Sequence, residues 1–428
     1  MRAMKDSGIE WIGQIPREWR LERLKYHADF NPATELPALA DEDDVSFVPM
    51  DRLKAGFHSQ SMVPYSKVKK GYVCFSDGDV LMAKVTPCLE NGNLAIAENL
   101  REGFGFGSTE INVMRCKTIA NRFLFYLLQC PTYIEKAKYN MYGVAGLKRL
   151  DPDFIPNSYV LMPSDDEQFR IVSYVDTKCA EIDALIAAKE KTNALLKEYR
   201  QSIIYEAVTK GLNPDAPTKD SGIEWMGQIP EHWAVERLKP HIEFNPKTEI
   251  PEYEEDDSVS FIPMDCLRRG IHTSKTVDYS KVKSGYVDFS EGDILMAKVT
   301  PCLENGNLAI AGNLIDGVGF GSTEINVIRC KSIHKEYLFY ILQCKTYIER
   351  AVADMYGVAG LKRLNPSFIP NTKYPMPSIA EQQEIAEHLA ATCSEIDELV
   401  TANERTIEKL KEYRQSIIYE AVTGKIEL

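Results

Sequence analysis

Hydrophobic and polar positions follow two different patterns along this chain. Short apolar runs bounded by turn residues, such as 46–50, 78–85 and 110–115, predict β-strands. Residues 122–129 carry apolar side chains at helical spacing and predict a helix. Residues 166–208 contain neither proline nor glycine and are rich in helix formers, which predicts one long helix. The chain therefore combines α+β globular segments with long helices.

The long helical segments repeat apolar residues at the heptad spacing of a coiled coil. In the first helix we predict one core position at Val175, Ile182, Leu196 and Ile203, and the other at Leu185 and Tyr199. The matching residues of the second helix are Leu389, Ile396, Leu410 and Ile417, with Leu399 and Tyr413. Polar residues, Lys189 and Asn403, interrupt this core, and a polar core residue can fix the register. We expect the two helices to pair antiparallel as a rigid rod.

An internal repeat accounts for the second copy of this pattern. Lys5 to Trp11 returns as Lys219 to Trp225, and the same offset of 214 residues holds almost end to end without gaps. We predict two globular domains, two helices and a segment that contains the linker and the start of the second repeat. Their bounds are 1–163 and 234–377 for the domains, 164–210 and 378–428 for the helices, and 211–233 for the linking segment. Like domains on an antiparallel helix pair would be related by a pseudo-two-fold axis.

Composition limits the classes of function. The formal net charge is -13, which by itself argues against nucleic acid binding, but acidic residues are concentrated in runs at 41–44 and 254–257. The 10 cysteines are scattered singly, without metal-binding spacing. No apolar run reaches the length of a membrane helix, and the first residues are not typical of a signal peptide, so we expect a cytoplasmic protein.

Motifs for catalysis are absent from the sequence. Residues 103–107 resemble a glycine-rich cofactor loop, but a β-branched run follows them, so we predict a tight turn between strands. Residues 365–368 differ from the motif of amino-methyltransferases, and we predict a turn there. The chain has no phosphate-binding loop and no zinc-protease helix, and its 7 histidines do not cluster. We therefore expect no catalytic residues, no metal site and no bound cofactor.

Two segments are the main candidates for contact with DNA. In the first, Lys84 and Thr86 can contact phosphate, Glu90 can accept from cytosine, and Asn91 and Asn93 can bridge adenine. Their counterparts are Lys298, Thr300, Glu304, Asn305 and Asn307. The alternative interpretation is a turn capped by Asn-Gly-Asn.

The second segment, 143–150, ends in Lys148 and Arg149 and returns with Lys362 and Arg363. Arginine reads guanine or clamps phosphate, but a loop with two solvated charges would look the same.

A third basic patch is the least specific of the candidates. It contains Lys67 and Lys69 in the first copy and Lys281 and Lys283 in the second. Lysines at this density contact phosphate in some proteins and form a solvated edge in others, so both interpretations stay open.

Four sequence blocks resemble the specificity subunits of type I restriction–modification systems. They are the opening Lys-Asp-Ser-Gly-Ile-Glu-Trp-Ile-Gly-Gln-Ile-Pro, the block Ala-Lys-Val-Thr-Pro-Cys-Leu-Glu-Asn-Gly-Asn, the block Gly-Phe-Gly-Ser-Thr-Glu, and Met-Pro-Ser-Ile-Ala-Glu-Gln-Gln-Glu-Ile at 376–385. The resemblance covers the whole chain. Residues 164–170 depart from the proline and Glu-Gln signature found at 376–385, so this block does not define the residue at which the first helix starts.

The resemblance implies a non-catalytic subunit with two target recognition domains, each of which reads half of a split site on double-stranded DNA. It implies that the helices set the spacing and bind two methyltransferase subunits, with restriction and translocase subunits joining them. S-adenosylmethionine, ATP and Mg²⁺ are then implied for those partners alone. Because the two domains are near-copies, we expect half-sites of one sequence on opposite strands. The alternative is a standalone DNA-binding or scaffold protein that recruits an unrelated effector.

Overall fold

A computed structural model describes residues 2–54, 56–143, 146–268, 271–272, 274–358 and 360–428. The chain forms two compact units. Unit 1 consists of Met1–Glu190 and Glu404–Leu428, and unit 2 consists of Lys191–Asn403. Each unit contains one α+β globular part, the first part of one long helix and the last part of the other. In the described part of the chain, no helix combines the length and apolarity needed to cross a membrane.

The globular part of unit 1 contains two sheets of four strands each. The first is antiparallel and has the order Leu94–Ile96, Val80–Ala83, Ile111–Cys116, Ala28–Phe30. The second has the order Ser61–Pro64, Asp44–Val48, Phe104–Gly107, Val73–Ser76, with its two central strands parallel. Four shorter pairs complete the unit: Met4–Asp6 with Gln14–Pro16, Arg20–Arg23 with Tyr159–Met162, Leu53–Lys54 with Phe57–His58, and Met141–Tyr142 with Arg149–Leu150.

The first sheet is buried on both faces, which explains the continuous apolar run at Val80–Ala83. Leu81 pairs with Val113 and packs with Phe75 of the second sheet. Val80 and Met82 point to the opposite face and join the cluster that contains the helices. Alternation along one strand thus serves two hydrophobic cores, because successive side chains leave a strand on opposite faces. The helices of the unit are Asn121–Leu128, Pro131–Tyr139, Phe154–Asn157 and the first part of Asp165–Lys210.

Unit 2 repeats this order of elements. Its antiparallel sheet is Leu308–Ile310, Ile294–Ala297, Ile325–Cys330, Ile242–Phe244, and its mixed sheet is Lys275–Asp278, Ser258–Ile262, Val318–Gly321, Val287–Ser290. The short pairs are Thr218–Asp220 with Gln228–Pro230, Ala234–Arg237 with Lys373–Met376, Leu267–Arg268 with Ile271–His272, and Tyr356–Val358 with Leu361–Arg363. The helices are Lys335–Gln343, Lys345–Ala353, Phe368–Asn371 and the first part of Ile379–Val422. Short 3₁₀ turns occur in both units at Leu24–Tyr26, Met50–Arg52, Tyr65–Lys67, Arg101–Gly103, Lys239–His241, Met264–Cys266, Tyr279–Lys281 and Ile315–Gly317.

The glycine-rich segment is a strand, and the prediction of a tight turn at 103–107 was wrong. Phe104–Gly107 lies in the middle of the mixed sheet. A Cβ atom at Gly105 or Gly107 would lie 3.0 Å from the ring of Phe75, so the glycines make room for an aromatic side chain that covers their face of the strand. The spacing of these glycines therefore reflects packing within the sheet.

We call the line of core residues between the long helices the seam. One of its two predicted heptad positions differs in the structure. Val175, Ile182 and Ile396 are buried as predicted, but Leu185, Tyr199, Leu399 and Tyr413 are more than half exposed. The second seam position lies one residue further along the helix, at Cys179, Ile186, Asn193 and Arg200, and at Cys393, Val400, Ile407 and Arg414. A shift of one residue rotates a side chain by about 100° around a helix, which separates seam from solvent.

Polar contacts within each unit show that the long helices run antiparallel. In unit 2, Asn403 donates to the side-chain oxygen of Asn193 at 2.9 Å, and Arg200 lies 3.3 Å from Asp397. In unit 1, Arg414 lies 3.1 Å from Asp183. Residue numbers rise on one helix as they fall on the other, which is the antiparallel order expected from the sequence.

A Glu-Gln pair joins the start of each long helix to its domain. Trp19 donates to Glu167 at 2.9 Å, and the backbone N–H of Ala120 donates to Gln168 at 2.8 Å. Trp233 and Glu381 form the same contact at 3.0 Å in unit 2, where Gln382 accepts from the N–H of His334. The first copy therefore keeps the contacts of the signature although its flanking residues differ, and the first helix begins at Asp165.

Candidate nucleic-acid interface

The fold brings the two main candidate segments together in each unit. A β-bridge joins Val85 to Arg149, the N–H of Leu150 donates to the carbonyl of Lys84 at 2.7 Å, and the N–H of Thr86 donates to Lys148 at 3.0 Å. Segments that lie about sixty residues apart in the sequence thus form one surface. Unit 2 has the same bridge between Val299 and Arg363. We call the side chains of Lys84, Glu110, Lys148 and Arg149, and those of Lys298, Glu324, Lys362 and Arg363, the charged cluster of each unit.

Thr86 and Thr300 support the loop of the hairpin. The Thr86 hydroxyl accepts from the N–H of Lys148 at 2.9 Å and donates to the carbonyl of Gly146 at 2.9 Å. Thr300 makes the corresponding contacts with Lys362 and Gly360, both at 3.0 Å. Because the hydroxyl proton is used inside the protein, these threonines position the neighbouring lysines.

An ion pair that the sequence analysis did not predict lies at the centre of each cluster. Arg149 donates from Nη2 to Glu110 Oε1 at 2.5 Å. In unit 2, Arg363 donates from Nη2 to Glu324 Oε1 at 2.5 Å and from Nε to Oε2 at 3.2 Å. Glu110 ends the repeated block Gly-Phe-Gly-Ser-Thr-Glu, so the unchanged repetition of an acidic residue was a signal that could have identified it.

Lys84 and Lys298 lie partly buried beside these ion pairs. Burial is the main cause that lowers the pKa of Lys84; the nearby Glu110 raises it and Arg149 lowers it further. The pKa of Lys298 is lowered in the same way, with Glu324 and Arg363 as the neighbouring charges. The carboxylate therefore offsets the repulsion between two cations in each cluster.

The remaining residues of the first segment divide into exposed and engaged side chains. Glu90 and Asn91, with Glu304 and Asn305, are exposed. Asn93 donates to the carbonyl of Met50 at 3.3 Å, and Asn307 donates to that of Met264 at 3.1 Å. The predicted alternative of a structural turn thus accounts for the amides of Asn93 and Asn307, whereas Asn91 and Asn305 face solvent.

The hairpin that carries Lys148 and Arg149 has an exposed face. Lys148 and Lys362 are exposed, and neither forms an ion pair with another described residue. Tyr142 and Tyr356, which the sequence analysis did not single out, are also exposed, each with 56% of its surface accessible. A Cβ atom at Gly143 would lie 2.3 Å from the carbonyl oxygen of Leu147, so the chain can close here only on glycine. Val144, Ala145 and Ala359 of these loops lie outside the described residues.

Carboxylates neutralise most of the third basic patch. Lys69 lies 2.7 Å from Asp41, Lys281 lies 2.7 Å from Asp278, and Lys283 lies 2.5 Å from Glu255. Lys67 is exposed and has no ion-pair partner among the residues that the structure describes. This arrangement favours a solvated edge, with the acidic runs supplying part of the partners.

The remaining groups to consider within the described ranges are metal-binding side chains and cysteine thiols. No set of three His, Cys, Asp or Glu side chains there is placed to hold a metal ion. Burial raises the pKa of Cys116 and of Cys330 to about 12, so both stay protonated thiols near neutral pH.

Comparison with known proteins gives one consistent group of matches. Residues 230–412 match the model of the type I restriction modification DNA specificity domain, and the repeat places residues 16–198 at the equivalent positions. The EcoAI specificity subunit of Escherichia coli is 34% identical over 177 residues, which cover 40% of this chain and 30% of that protein. The EcoEI subunit of the same organism is 35% identical over 37% of this chain and 27% of its own length. The chain thus matches less than a third of the length of these two relatives.

Longer matches are more distant in sequence. The MjaVIII specificity subunit of Methanocaldococcus jannaschii is 22% identical over 97% of this chain and 94% of its own length. Among solved structures, a chain from a type I R-M system has a TM-score of 0.72 at 17% identity, covering 96% of this chain and 99% of its own. The HsdS subunit of Thermoanaerobacter tengcongensis has a TM-score of 0.51 at 16% identity, covering 98% and 100%. At these identities the structural matches establish the fold.

Proposed function

Because the chain belongs to the family of type I restriction–modification specificity subunits, we propose that it reads DNA sequence for a methyltransferase and restriction complex. The observation that carries this proposal is the charged cluster, which occurs in both units with the same β-bridge and the same contact from arginine Nη2 to glutamate Oε1. Each cluster offers a lysine without an ion-pair partner among the described residues and an arginine on a hairpin. Lysine suits phosphate and arginine suits base edges.

The negative net charge is compatible with this role. Phosphate contacts depend on the local field, and one residue of each acidic run, Asp41 and Glu255, pairs with a lysine of the third patch. The hairpin lysines lack such partners in the described residues. We therefore place double-stranded DNA at the charged clusters.

We assign the long helices to partner subunits. Leu185, Leu195, Tyr199, Leu399 and Tyr413 are exposed apolar residues on them. Exposed aromatic and aliphatic side chains are typical of protein interfaces. We propose that two methyltransferase subunits bind the helices and bring S-adenosylmethionine chemistry to the DNA, and that restriction subunits with ATP and Mg²⁺ join them. This chain then binds no cofactor and catalyses no step.

We further propose that the two half-sites have the same sequence on opposite strands. The candidate contacts recur one for one, as Lys84 with Lys298, Asn91 with Asn305 and Arg149 with Arg363. Within each unit the helices run antiparallel, and paired half-sites mirror the symmetry of the protein that reads them. An interrupted palindrome with a fixed spacer is the expected target.

Genome-wide mapping of methylated adenines tests this function directly. The host strain and a strain that lacks only the gene for this chain are compared while the methyltransferase gene is still expressed. We expect one bipartite motif with two like halves to lose methylation in the deletion strain. An unchanged methylation pattern would contradict the proposed function, and a lost motif with two unrelated halves would contradict only the palindrome.

Affinity purification separates the proposal from the alternative of a standalone DNA-binding or scaffold protein. The full chain, tagged and expressed in its host, should recover a methyltransferase subunit at about two copies per chain. The Leu399→Asp variant, changed at an exposed helix position, serves as the control and should recover less of it. Recovery of an unrelated effector without any methyltransferase would favour the alternative.

A further inference from the structure

We propose that Glu110 and Glu324 are positioning residues that hold Arg149 and Arg363 as readers of guanine. This inference rests on the proposed function, because it assumes that the charged clusters face DNA. It assigns a base to the clusters and a role to two acidic residues that the sequence analysis did not select.

The geometry of the ion pair leaves the recognition edge of the arginine available. Arg363 donates to Glu324 through Nε and Nη2, which form the side edge of the planar guanidinium. Nη1 donates to no group in the part of the chain that the structure describes, and the same holds for Nη1 of Arg149. The end edge can therefore still donate in parallel to guanine O6 and N7, the pair of acceptors that suits the guanidinium fork.

The glutamates are less exposed than the arginines they contact, and their backbone is hydrogen-bonded on both sides. In each pair the glutamate side chain is less exposed than the arginine, at 28% against 49% in unit 1 and 31% against 47% in unit 2. The N–H of Glu110 donates to the hydroxyl of Ser108 at 3.1 Å, and its carbonyl accepts from the N–H of Lys84 at 3.0 Å. Glu324 makes the corresponding contacts with Ser322 and Lys298. A carboxylate on an anchored backbone restricts the rotamers of the arginine it contacts, so less rotamer freedom is lost on binding.

Charge favours a base edge over a phosphate as the target of these arginines. A guanidinium next to a carboxylate has little net charge, so a phosphate would meet the carboxylate as well as the cation. Phosphate binding would also release few counterions at such a pair. Guanine O6 and N7 are neutral acceptors, and a carboxylate behind the guanidinium does not repel them. The neighbouring Lys148 and Lys362, without an ion-pair partner in the described residues, are better suited to phosphate.

Binding of the full chain to duplexes with altered guanines tests the inference. A duplex is first selected from random sequence by the wild-type full chain, and a scrambled duplex serves as the non-specific reference. Each guanine of the selected duplex is then replaced in turn by 7-deazaguanine, which lacks the N7 acceptor. We expect one guanine in each half-site at which this replacement weakens wild-type binding about tenfold. In the variant Arg149→Ala with Arg363→Ala, the same replacements should cause no further loss.

The glutamates are tested with the double variant Glu110→Gln and Glu324→Gln. Glutamine removes the negative charge and keeps one acceptor, so Arg363 can no longer make both of its contacts and both arginines lose their anionic partner. We expect about fivefold weaker binding to the selected duplex, whereas binding to the scrambled duplex should not weaken, because two carboxylates that repel phosphate are removed. Glu98→Gln is the matched control, because Glu98 pairs with Arg122 at 3.7 Å outside the cluster, and it should bind like the wild type.

Several results would overturn the inference. These are the absence of any 7-deazaguanine effect, equal weakening on selected and scrambled duplexes, or unchanged binding in a folded Glu→Gln double variant. A fall of about one in the salt slope for each arginine removed would assign the arginines to phosphate instead. If the wild-type chain selects no sequence at all, the proposed function fails together with the inference, whereas the other results leave sequence reading intact.

Discussion

The charged cluster and the seam between the long helices both lie in the repeated sequence, but of these two features only the cluster keeps its main contacts in both units. Each cluster has the same bridge between strands, the same threonine contacts and the same glutamate–arginine pair. In the seam, the counterpart of Asn193 is Ile407 and the counterpart of Asn403 is Lys189. The cluster therefore stayed symmetric while the middle of the helices diverged.

This difference indicates which interactions must be the same in both units and which must differ between the two helices. Two clusters that are proposed to read identical half-sites need the same side chains in the same places. Two helices that pair with each other need a feature that distinguishes the correct register from others, and a buried amide pair supplies it. The hydrogen bond between Asn193 and Asn403 exists in unit 2 because the helices differ at that point.

The largest expected effect comes from a charge placed in the seam. Ile396→Asp should lower the free energy of unfolding by about 3 kcal/mol, because Ile396 is buried and the aspartate would lack a partner. Urea unfolding of the isolated chain, followed by circular dichroism, measures this change. Leu399→Asp is the control: Leu399 is exposed, and its substitution should change stability by less than about 0.5 kcal/mol. Equal losses of unfolding free energy in the two variants would show that Leu399 lies in the seam.

A smaller effect is expected from the amide pair. Asn403→Ala should cost about 1–2 kcal/mol, because the buried Asn193 then lacks its hydrogen-bond donor. The double variant Asn193→Leu and Asn403→Leu removes both polar groups and should recover most of this loss. The coupling energy from the complete set of single and double variants measures the pair. Additive losses would mean that the two asparagines act independently.

The hairpin lysines should affect DNA binding more than stability. Lys148→Ala and Lys362→Ala, made separately, should each lower the salt slope of binding to the selected duplex by about 0.9, since each removes one phosphate contact. Because the clusters are alike, the two variants should give the same result within error. A clear difference between them would show that the units contact DNA unequally and would weaken the palindrome proposal.

The smallest effect is expected at the third patch. Lys69→Ala and Lys283→Ala should change the affinity for DNA by less than about twofold, because Asp41 and Glu255 already neutralise these lysines. The same binding titrations at several salt concentrations measure this. A loss as large as that for Lys148→Ala would extend the DNA-binding surface to this patch.

Sequence patterns alone determined the local elements of this protein and its internal repeat. The strands at Val80–Ala83 and Ile111–Cys116, the helix Asn121–Leu128 and the long helices lie where the apolar spacing predicts them. The offset of 214 residues correctly predicted that unit 2 repeats the elements of unit 1. These features depend on neighbouring residues and on common ancestry, both of which a single sequence records.

Tertiary structure decided which of these local elements meet. Only the fold shows that Lys84 and Arg149 share a surface and that Glu110 lies near both, because strand pairing joins segments far apart in sequence. Only the fold shows that Arg200 lies in the seam and its neighbour Tyr199 in solvent. Consecutive side chains of a helix point about 100° apart, so a shift of one residue exchanges a buried position for an exposed one. Only the fold explains Gly105 and Gly107, because the Phe75 ring that leaves little room for a Cβ atom there belongs to another strand.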